Sequence, residues 1–173
     1  MGSSSTRSVR ESPEFRNLQQ DSKFRSWLLM QEAAIEIEFT VFEVPSLSGI
    51  EFTREGLVAA EQEILVRYAD SNPFSEENYK LGTRFLYFIG ETFRRNFEGT
   101  WVALPPEEPK GIPATVVDVE FKSTFFNPGH QIGFVLQRRT GKELTQIYDR
   151  ALARYTQWVD LGRPARGTWD GYL

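Results

Sequence analysis

Three polar residues near the middle of the chain have the spacing that a metal site on a strand would need. Asp118, Glu120 and Lys122 alternate at the end of a β-branched segment, and alternate residues of a strand share one face. In metal-dependent nucleases and related hydrolases, carboxylates in this layout hold Mg²⁺ while a lysine orients water. A solvated strand face shows the same alternation. We favour the solvated face and keep a metal-dependent hydrolase or nuclease as the alternative.

Other catalytic chemistry is restricted by the residue types that the chain lacks. His130 is the only histidine and there is no cysteine, which excludes His/Cys zinc sites and Cys–His pairs. Gly141 and Lys142 are followed by Glu143, so they do not end a phosphate-binding loop, which requires Ser or Thr after the lysine. His130 follows a predicted helix start, where a capping or solvent-facing role is expected. We predict a non-catalytic protein that uses no cofactor.

The net charge of −4 is unevenly distributed along the chain. Residues 26–79 contain two basic and eleven acidic residues, a net charge of −9, whereas residues 80–173 contain thirteen basic and ten acidic residues, a net charge of +3. A dense acidic surface repels nucleic acid and anionic membranes and attracts basic protein surfaces. A solvated acidic face without a partner is the alternative. The pattern predicts a protein partner, and no contact with nucleic acid or membrane.

Within this acidic segment, glutamates flank large apolar residues. Such a pattern combines long-range electrostatic attraction with side chains that become buried at an interface. The predicted partner-binding residues are Glu36, Glu38, Phe39, Phe42, Glu43, Glu51 and Glu55.

A second polar cluster is spaced by three and four residues along one predicted helix. This spacing places oppositely charged side chains next to each other on a helix surface. We interpret the cluster as structural ion pairs, and it comprises Arg84, Tyr87, Glu91, Arg94 and Arg95.

Capping residues and apolar spacing predict the elements of the first half of the chain. Ser12 begins a helix, and Thr53 caps a second helix over residues 54–68. Residues 35–41 alternate apolar and polar side chains, which favours a strand. No turn signal separates this segment from the helix before it, so a helix remains open there.

The strongest helical pattern begins at Ser75 and ends near Gly99, with apolar residues spaced by four. Gly82 and Gly90 lie inside this pattern. Glycine in a helix interior costs about 1 kcal/mol, so both positions indicate close approach by another element.

A hairpin follows, with strands over residues 100–104 and 114–121 and a proline-rich loop between them. Asn127 and Pro128 begin a short helix that ends at Arg138, and Thr140 begins the last helix. Two strands need helices to cover them. The sequence predicts an α+β fold in which four to five helices pack on a small antiparallel sheet. We expect a flexible arm over residues 1–11, one domain over 12–162 and a tail over 163–173.

Composition indicates a soluble cytoplasmic protein. Fourteen phenylalanines, six tyrosines and four tryptophans predict an aromatic core. The absence of cysteine fits a reducing compartment. No run approaches the roughly 18 apolar residues of a membrane helix, and no apolar run follows the N-terminus as in a signal peptide. The Met-Gly-Ser-Ser-Ser start is interpreted as a cloning remnant.

Several short motifs resemble those of a group of small bacterial proteins. The stretch Gly49-Ile-Glu-Phe-Thr-Arg-Glu-Gly-Leu57 precedes a helix with Tyr87-Phe-Ile-Gly90-Glu91 and a strand with Gly99-Thr-Trp101. This order is similar to the Tyr-x-Gly-Glu helix and Gly-x-Trp strand of that group, some members of which resemble immunity proteins of polymorphic or secreted toxin systems. The resemblance supplies no catalytic residue.

The resemblance implies an immunity protein that binds and neutralises a cognate bacterial toxin in a one-to-one complex. It also implies packing roles for Gly90 and Trp101. A regulatory adaptor with another protein partner and the metal-dependent hydrolase remain the alternative functions.

Overall fold

A computed structural model describes residues 9–169, so the Met-Gly-Ser-Ser-Ser start and Tyr172 lie outside the described part. In chain order its elements are α1 (Pro13–Leu18), α2 (Ser22–Ala34), a π-helix (Ile35–Glu43), a 3₁₀ turn (Pro45–Leu47), α3 (Arg54–Arg67), α4 (Tyr79–Asn96), β1 (Thr100–Leu104), β2 (Ala114–Asp118), α5 (Pro128–Arg138) and α6 (Glu143–Asp160). The predicted single α+β domain, with helices on a two-stranded antiparallel sheet, is confirmed. These elements include six α-helices and a π-helix, more than the four to five helices predicted.

Short polar side chains begin the helices, as predicted at three of them. Oxygen atoms of Ser12, Thr53 and Asn127 accept hydrogen bonds from backbone N–H groups in the first turns of α1, α3 and α5. Asp21 provides a further cap, accepting from two N–H groups at the start of α2. Because Asp21 begins a new helix, the single N-terminal helix expected from Ser12 is divided in two.

The strand favoured over residues 35–41 is wrong, because α2 continues into the π-helix. The Val44 N–H donates to the Phe39 carbonyl at 2.7 Å, the five-residue spacing of a π-helix. Ile35 and Phe39 are buried, whereas Ile37 is 65% and Val41 51% exposed. A strand would place all four on one face. The apolar alternation therefore reflects two faces of one widened helix.

The hairpin has the predicted first strand and a shorter second strand. Thr100 pairs with Asp118 and Leu104 with Ala114. Val117 also exchanges two backbone hydrogen bonds of 2.9 Å with Phe126. The chain turns directly after Asp118, so β2 ends there and not at residue 121.

Helices α4 and α6 begin later than predicted, at Tyr79 and Glu143. At the start of α6, the N–H groups of Glu143 and Leu144 donate to the carboxylate of Glu61 at 3.0 and 2.9 Å. Glu61 belongs to α3 and is fully buried. A carboxylate placed at a helix N-terminus satisfies free N–H groups and complements the helix dipole. This contact fixes α6 against α3.

Both glycines inside α4 lie close to another part of the chain, as the presence of glycine in a helix interior predicted. A Cβ at Gly82 would lie 2.0 Å from the carbonyl oxygen of Pro73, and one at Gly90 would lie 2.1 Å from Trp101 Cη2. Trp101 stacks on Tyr87 with ring centroids 5.3 Å apart, and the edge of Trp27 meets both rings. The missing side chain at Gly90 thus allows an aromatic layer to form between α2, α4 and β1.

We predict opposite effects for two glycine-to-alanine substitutions in helices. Gly90→Ala forces a methyl group into Trp101 and should lower the free energy of unfolding by about 2 kcal/mol. Gly133→Ala, in α5, meets nothing within 4 Å and should raise it by roughly 0.5–1 kcal/mol, because alanine favours helix. Urea denaturation of both variants tests this. Equal effects would show that the Trp101 contact does not limit position 90.

The cap from Glu61 gives a second stability prediction. Glu61→Ala leaves two buried N–H groups without an acceptor and should lower the free energy of unfolding by about 3 kcal/mol. Glu61→Gln retains one acceptor oxygen and should lose less. The exposed neighbour Gln62 is the control, since Gln62→Ala should change stability by less than about 0.5 kcal/mol. Denaturant titrations with matching effects at both positions would contradict the assigned role.

Candidate partner-binding surface

The predicted partner-binding residues lie mainly on the π-helix, where they differ in accessibility. Phe42 is 77% exposed and Glu36 is also exposed. Phe39 is fully buried and packs edge-on against Phe85 at a centroid distance of 5.1 Å. Phe39 therefore supports the helix from beneath and cannot contact a partner in this conformation. Phe42 and Glu36 are the accessible members of the set.

Two other predicted residues, Glu38 and Glu43, are bound by Arg84 of helix α4. The Arg84 side chain is 8% exposed; it donates to Glu38 at 2.6 Å and forms an ion pair with Glu43. Lys80 Nζ lies 3.5 Å from the same oxygen of Glu38. The hydrogen bond and charge of Arg84 lower the pKa of Glu38 below its ordinary value. These carboxylates hold the π-helix against α4.

The last two predicted residues lie on a different element. Glu51 is in the turn before α3 and accepts a hydrogen bond of 2.8 Å from the Gly49 N–H. Glu55 is exposed in the first turn of α3. Glu55 is thus a surface charge that forms no ion pair among the described residues, whereas Glu51 stabilises its own turn.

An exposed apolar surface accompanies the accessible glutamate. We name it the apolar ridge, and its five members are Leu29, Met30, Ile37, Val41 and Phe42, each more than half exposed. All five lie within a continuous helical segment of α2 and the π-helix. Single exposed apolar residues are common on soluble proteins, whereas clustered ones mark interaction sites. Of the twelve large apolar side chains exposed on the surface of residues 9–169, five lie in this one segment.

A groove lies beside the ridge, between α2, the π-helix and the start of α4. Its volume is about 640 Å³. The side chains that matter to its chemistry are Trp27, Met30, Ile37, Tyr79, Glu76 and Lys80, with Gln31, Glu38 and Arg84 also in its lining. Met30 and Ile37 belong both to the ridge and to the groove.

The residues of the metal-site alternative are engaged in other contacts. Asp118 binds Arg10 at 2.8 Å and Arg166 at 3.0 Å, and Glu120 binds Arg166 at 3.3 Å. Burial, and then the positive charges of Arg154 and Arg150, lower the pKa of Lys122. Within residues 9–169 no group of three potential ligands among His, Cys, Asp and Glu could hold a metal ion. This arrangement gives the hydrolase alternative no support.

The second polar cluster divides into two sets, because Arg84 faces Glu38 and not Glu91. Glu91 is 3% exposed and accepts hydrogen bonds from Arg94 at 2.7 and 2.8 Å, from Arg95 at 2.8 Å and from Trp101 Nε1 at 2.8 Å. Burial raises the pKa of Glu91, but these hydrogen bonds outweigh it and hold the pKa below its ordinary value. The carboxylate fixes β1 to α4. It is a structural group.

Sequence reasoning missed Met30, Ile37 and Tyr79 as surface residues. A signal was present for the first two: Met30, Ile37 and Val41 are spaced by seven and four, as on one face of a helix. The strand interpretation of residues 35–41 concealed it. His130, by contrast, lies where expected: its side chain is exposed near the start of α5, and its backbone N–H donates to Asn127 Oδ1.

Comparison with known proteins identifies no matching family model, no matching curated protein and no matching solved structure. Within the described residues, no helix is long and apolar enough to cross a membrane.

The pKa of Glu91 leads to a prediction about acid stability. Because its folded-state pKa lies below the ordinary value of 4.5, the carboxylate stabilises the fold above that pH, and this contribution is lost as pH falls through the folded-state pKa. Glu91→Gln should be less stable at pH 7 and should lose less stability on acidification. Urea titrations between about pH 3 and 7 measure the difference.

Glu14→Gln, on the exposed face of α1, is the matched control for removal of one carboxylate. Its stability should follow the wild-type pH dependence closely. If the free energies of unfolding of Glu91→Gln and Glu14→Gln change in parallel with pH, the Glu91 network does not contribute to the pH dependence of stability.

Proposed function

We propose that this protein acts by binding another protein, as an immunity protein that neutralises a cognate bacterial toxin in the cytoplasm. The observation that carries the proposal is the apolar ridge. Five large apolar side chains in one helical segment are each more than half exposed. Apolar surface of this extent is unfavourable in water, and burying it against a partner is favourable.

The composition of the surface is suited to protein recognition. Phe42 offers an aromatic side chain of which 77% is exposed, and aromatic residues dominate the binding energy of many interfaces. Glu36 lies in the same π-helix and has no ion-pair partner among residues 9–169. A free carboxylate on the same helix as an exposed aromatic side chain can attract a basic partner toward the surface on which the aromatic side chain is then buried. The proposed complex is one-to-one.

The immunity role depends on the resemblance of short motifs, whereas protein binding depends on the ridge. A regulatory adaptor would use the same ridge with a different partner, and remains the alternative. The two differ in what the partner does: a toxin kills cells that lack the inhibitor. The acidic segment around the ridge disfavours nucleic acid and anionic lipid as ligands.

Substitutions on the ridge and at Glu36 test the proposal. The first partner to test is the protein encoded directly upstream in the native genome, purified and titrated calorimetrically; we expect it to contain a toxin domain. Phe42→Ala should weaken the complex by about 2 kcal/mol, roughly 30-fold. Glu36→Lys should slow association, and the difference from wild type should shrink at high salt because the charge is screened. Co-expression should protect cells from the toxin, and Phe42→Ala should reduce that protection.

Two exposed positions away from the ridge serve as controls. Val66→Ala, on α3, removes an apolar side chain that is 76% exposed, and Glu14→Lys reverses a charge on α1. Neither should change affinity. Ridge variants that bind as tightly as these controls would eliminate the ridge as the contact surface, and a complex that forms without protecting cells would favour the adaptor.

A further inference from the structure

Burial along the π-helix repeats every five residues. Residues five apart have the same exposure: Ile35 and Thr40 are buried, Phe39 and Val44 are buried, and Ile37 and Phe42 are more than half exposed. The hydrogen bond from the Val44 N–H to the Phe39 carbonyl spans the same five residues. In an α-helix, by contrast, side chains three and four apart lie on one face. The exposed surface of this segment is therefore specific to the five-residue spacing, which we call the π register.

The same residues also fit a continued α-helix, which we call the α register. Ile35, Phe39 and Phe42 are spaced by four and three, as on the buried face of an α-helix. Continuing α2 without change would place Phe42 on the face of Ile35 and Phe39, both of which are buried. Val44, nine residues after Ile35, would point about 180° away from it. The two registers thus differ in whether Phe42 or Val44 faces the core.

Arg84 distinguishes the two registers. It binds Glu38 and Glu43, which are five residues apart and therefore adjacent in the π register. In the α register, five residues would separate these two carboxylates by about 140° around the helix axis. One guanidinium on α4 could not reach both. Because the Arg84 side chain is only 8% exposed, losing one of its two partners is unfavourable. The double contact therefore favours the π register.

We infer that the π-helix is a two-register element that controls whether Phe42 is presented to a partner. While Arg84 binds both carboxylates, the π register holds and Phe42 is exposed. When that double contact is lost, the segment continues α2 as an α-helix and Phe42 is buried. Met30, Ile37 and Val41 share one face of an α-helix, so they stay together and the change removes the aromatic member of the ridge. The inference goes beyond the proposed function and does not depend on the identity of the partner.

Ni²⁺ binding by introduced histidine pairs reports the register. Two histidines that are neighbours on one helix face bind a divalent metal ion together. One pair, Glu36→His with Val41→His, is five residues apart; the other, Ile37→His with Val41→His, is four apart, and all three positions are exposed. The reference is Val41→His alone, since the only native histidine, His130, lies on α5. With Arg84 present, the five-residue pair should bind Ni²⁺ about 10-fold or more tightly than the four-residue pair, because affinity falls with the population of the competent register.

Arg84→Met should reverse the order of the two Ni²⁺ affinities. Glu43→Gln, which removes one of the two carboxylates, should shift the order in the same direction and decides the matter if thermal unfolding shows that Arg84→Met is not folded. The control is Asp149→Asn, which removes a carboxylate paired with Arg54 between α3 and α6 and should keep the wild-type order. An unchanged order in the folded variants overturns the inference. So does Ni²⁺ binding by both pairs no tighter than by the single-histidine reference.

Thiol labelling gives an independent readout, because the chain has no native cysteine. Val44→Cys places a thiol at a fully buried position that turns outward in the α register. Adding Arg84→Met should speed its labelling by about 10-fold or more, since the exposed register becomes the populated one. Ala60→Cys, equally buried on α3, is the matched control and should label as slowly with Arg84→Met as without it. Equal acceleration at both positions would indicate general loosening and overturn the inference.

The partner complex separates this inference from the proposed function. Arg84→Met should weaken the complex about as much as Phe42→Ala does, since both remove the exposed aromatic side chain. If the histidine pairs and the thiol report no change of register while Phe42→Ala still weakens the complex, the register inference fails and the proposed function stands. If the register changes as expected while neither variant affects the complex, the register inference stands and the proposed role of Phe42 fails.

Discussion

Arg84 makes the contact on which the candidate surface depends. Its guanidinium is almost completely buried in α4 and reaches two carboxylates of the π-helix, Glu38 and Glu43. A buried charge that loses its partners typically costs about 3–5 kcal/mol, so the π-helix cannot move away from α4 without a large penalty. One wall of the groove and the exposed face of the ridge are therefore held in a fixed relation.

The same contact changes the interpretation of the acidic segment. In a count of net charge these glutamates are equivalent, but in the fold they make different contacts. Glu38 and Glu43 neutralise Arg84, Glu61 caps α6 and Glu63 pairs with Arg67. Only charges without such tasks, such as Glu36, can attract a partner without first breaking a contact inside the protein. The effective acidic surface is thus smaller than the net charge suggests.

Local signals allowed the sequence to predict much of the fold. Ser12, Thr53 and Asn127 act within three residues of themselves, and each cap is where the sequence placed it. The π-helix was missed because the alternation of residues 35–41 matches a strand, whereas the spacing of Met30, Ile37 and Val41 matches a helix. The two local signals conflict, and packing against α4 decides between strand and helix. The groove lies between the continuous segment of α2 and the π-helix and the distant helix α4, and the Arg84 pairs that join them span more than forty residues. No local pattern encodes such a contact.

Asp118 has a consequence for the ends of the described chain. Arg10, near the first described residue, and Arg166, near the last, bind the same carboxylate at 2.8 and 3.0 Å. The two ends therefore lie side by side against the end of β2. A short peptide could join them, and the chain could be reopened in the exposed loop between β1 and β2, as in other circularly permuted domains. Such a rearranged chain would keep the ion pairs of Arg84 intact and leave the ridge and groove far in sequence from the new ends.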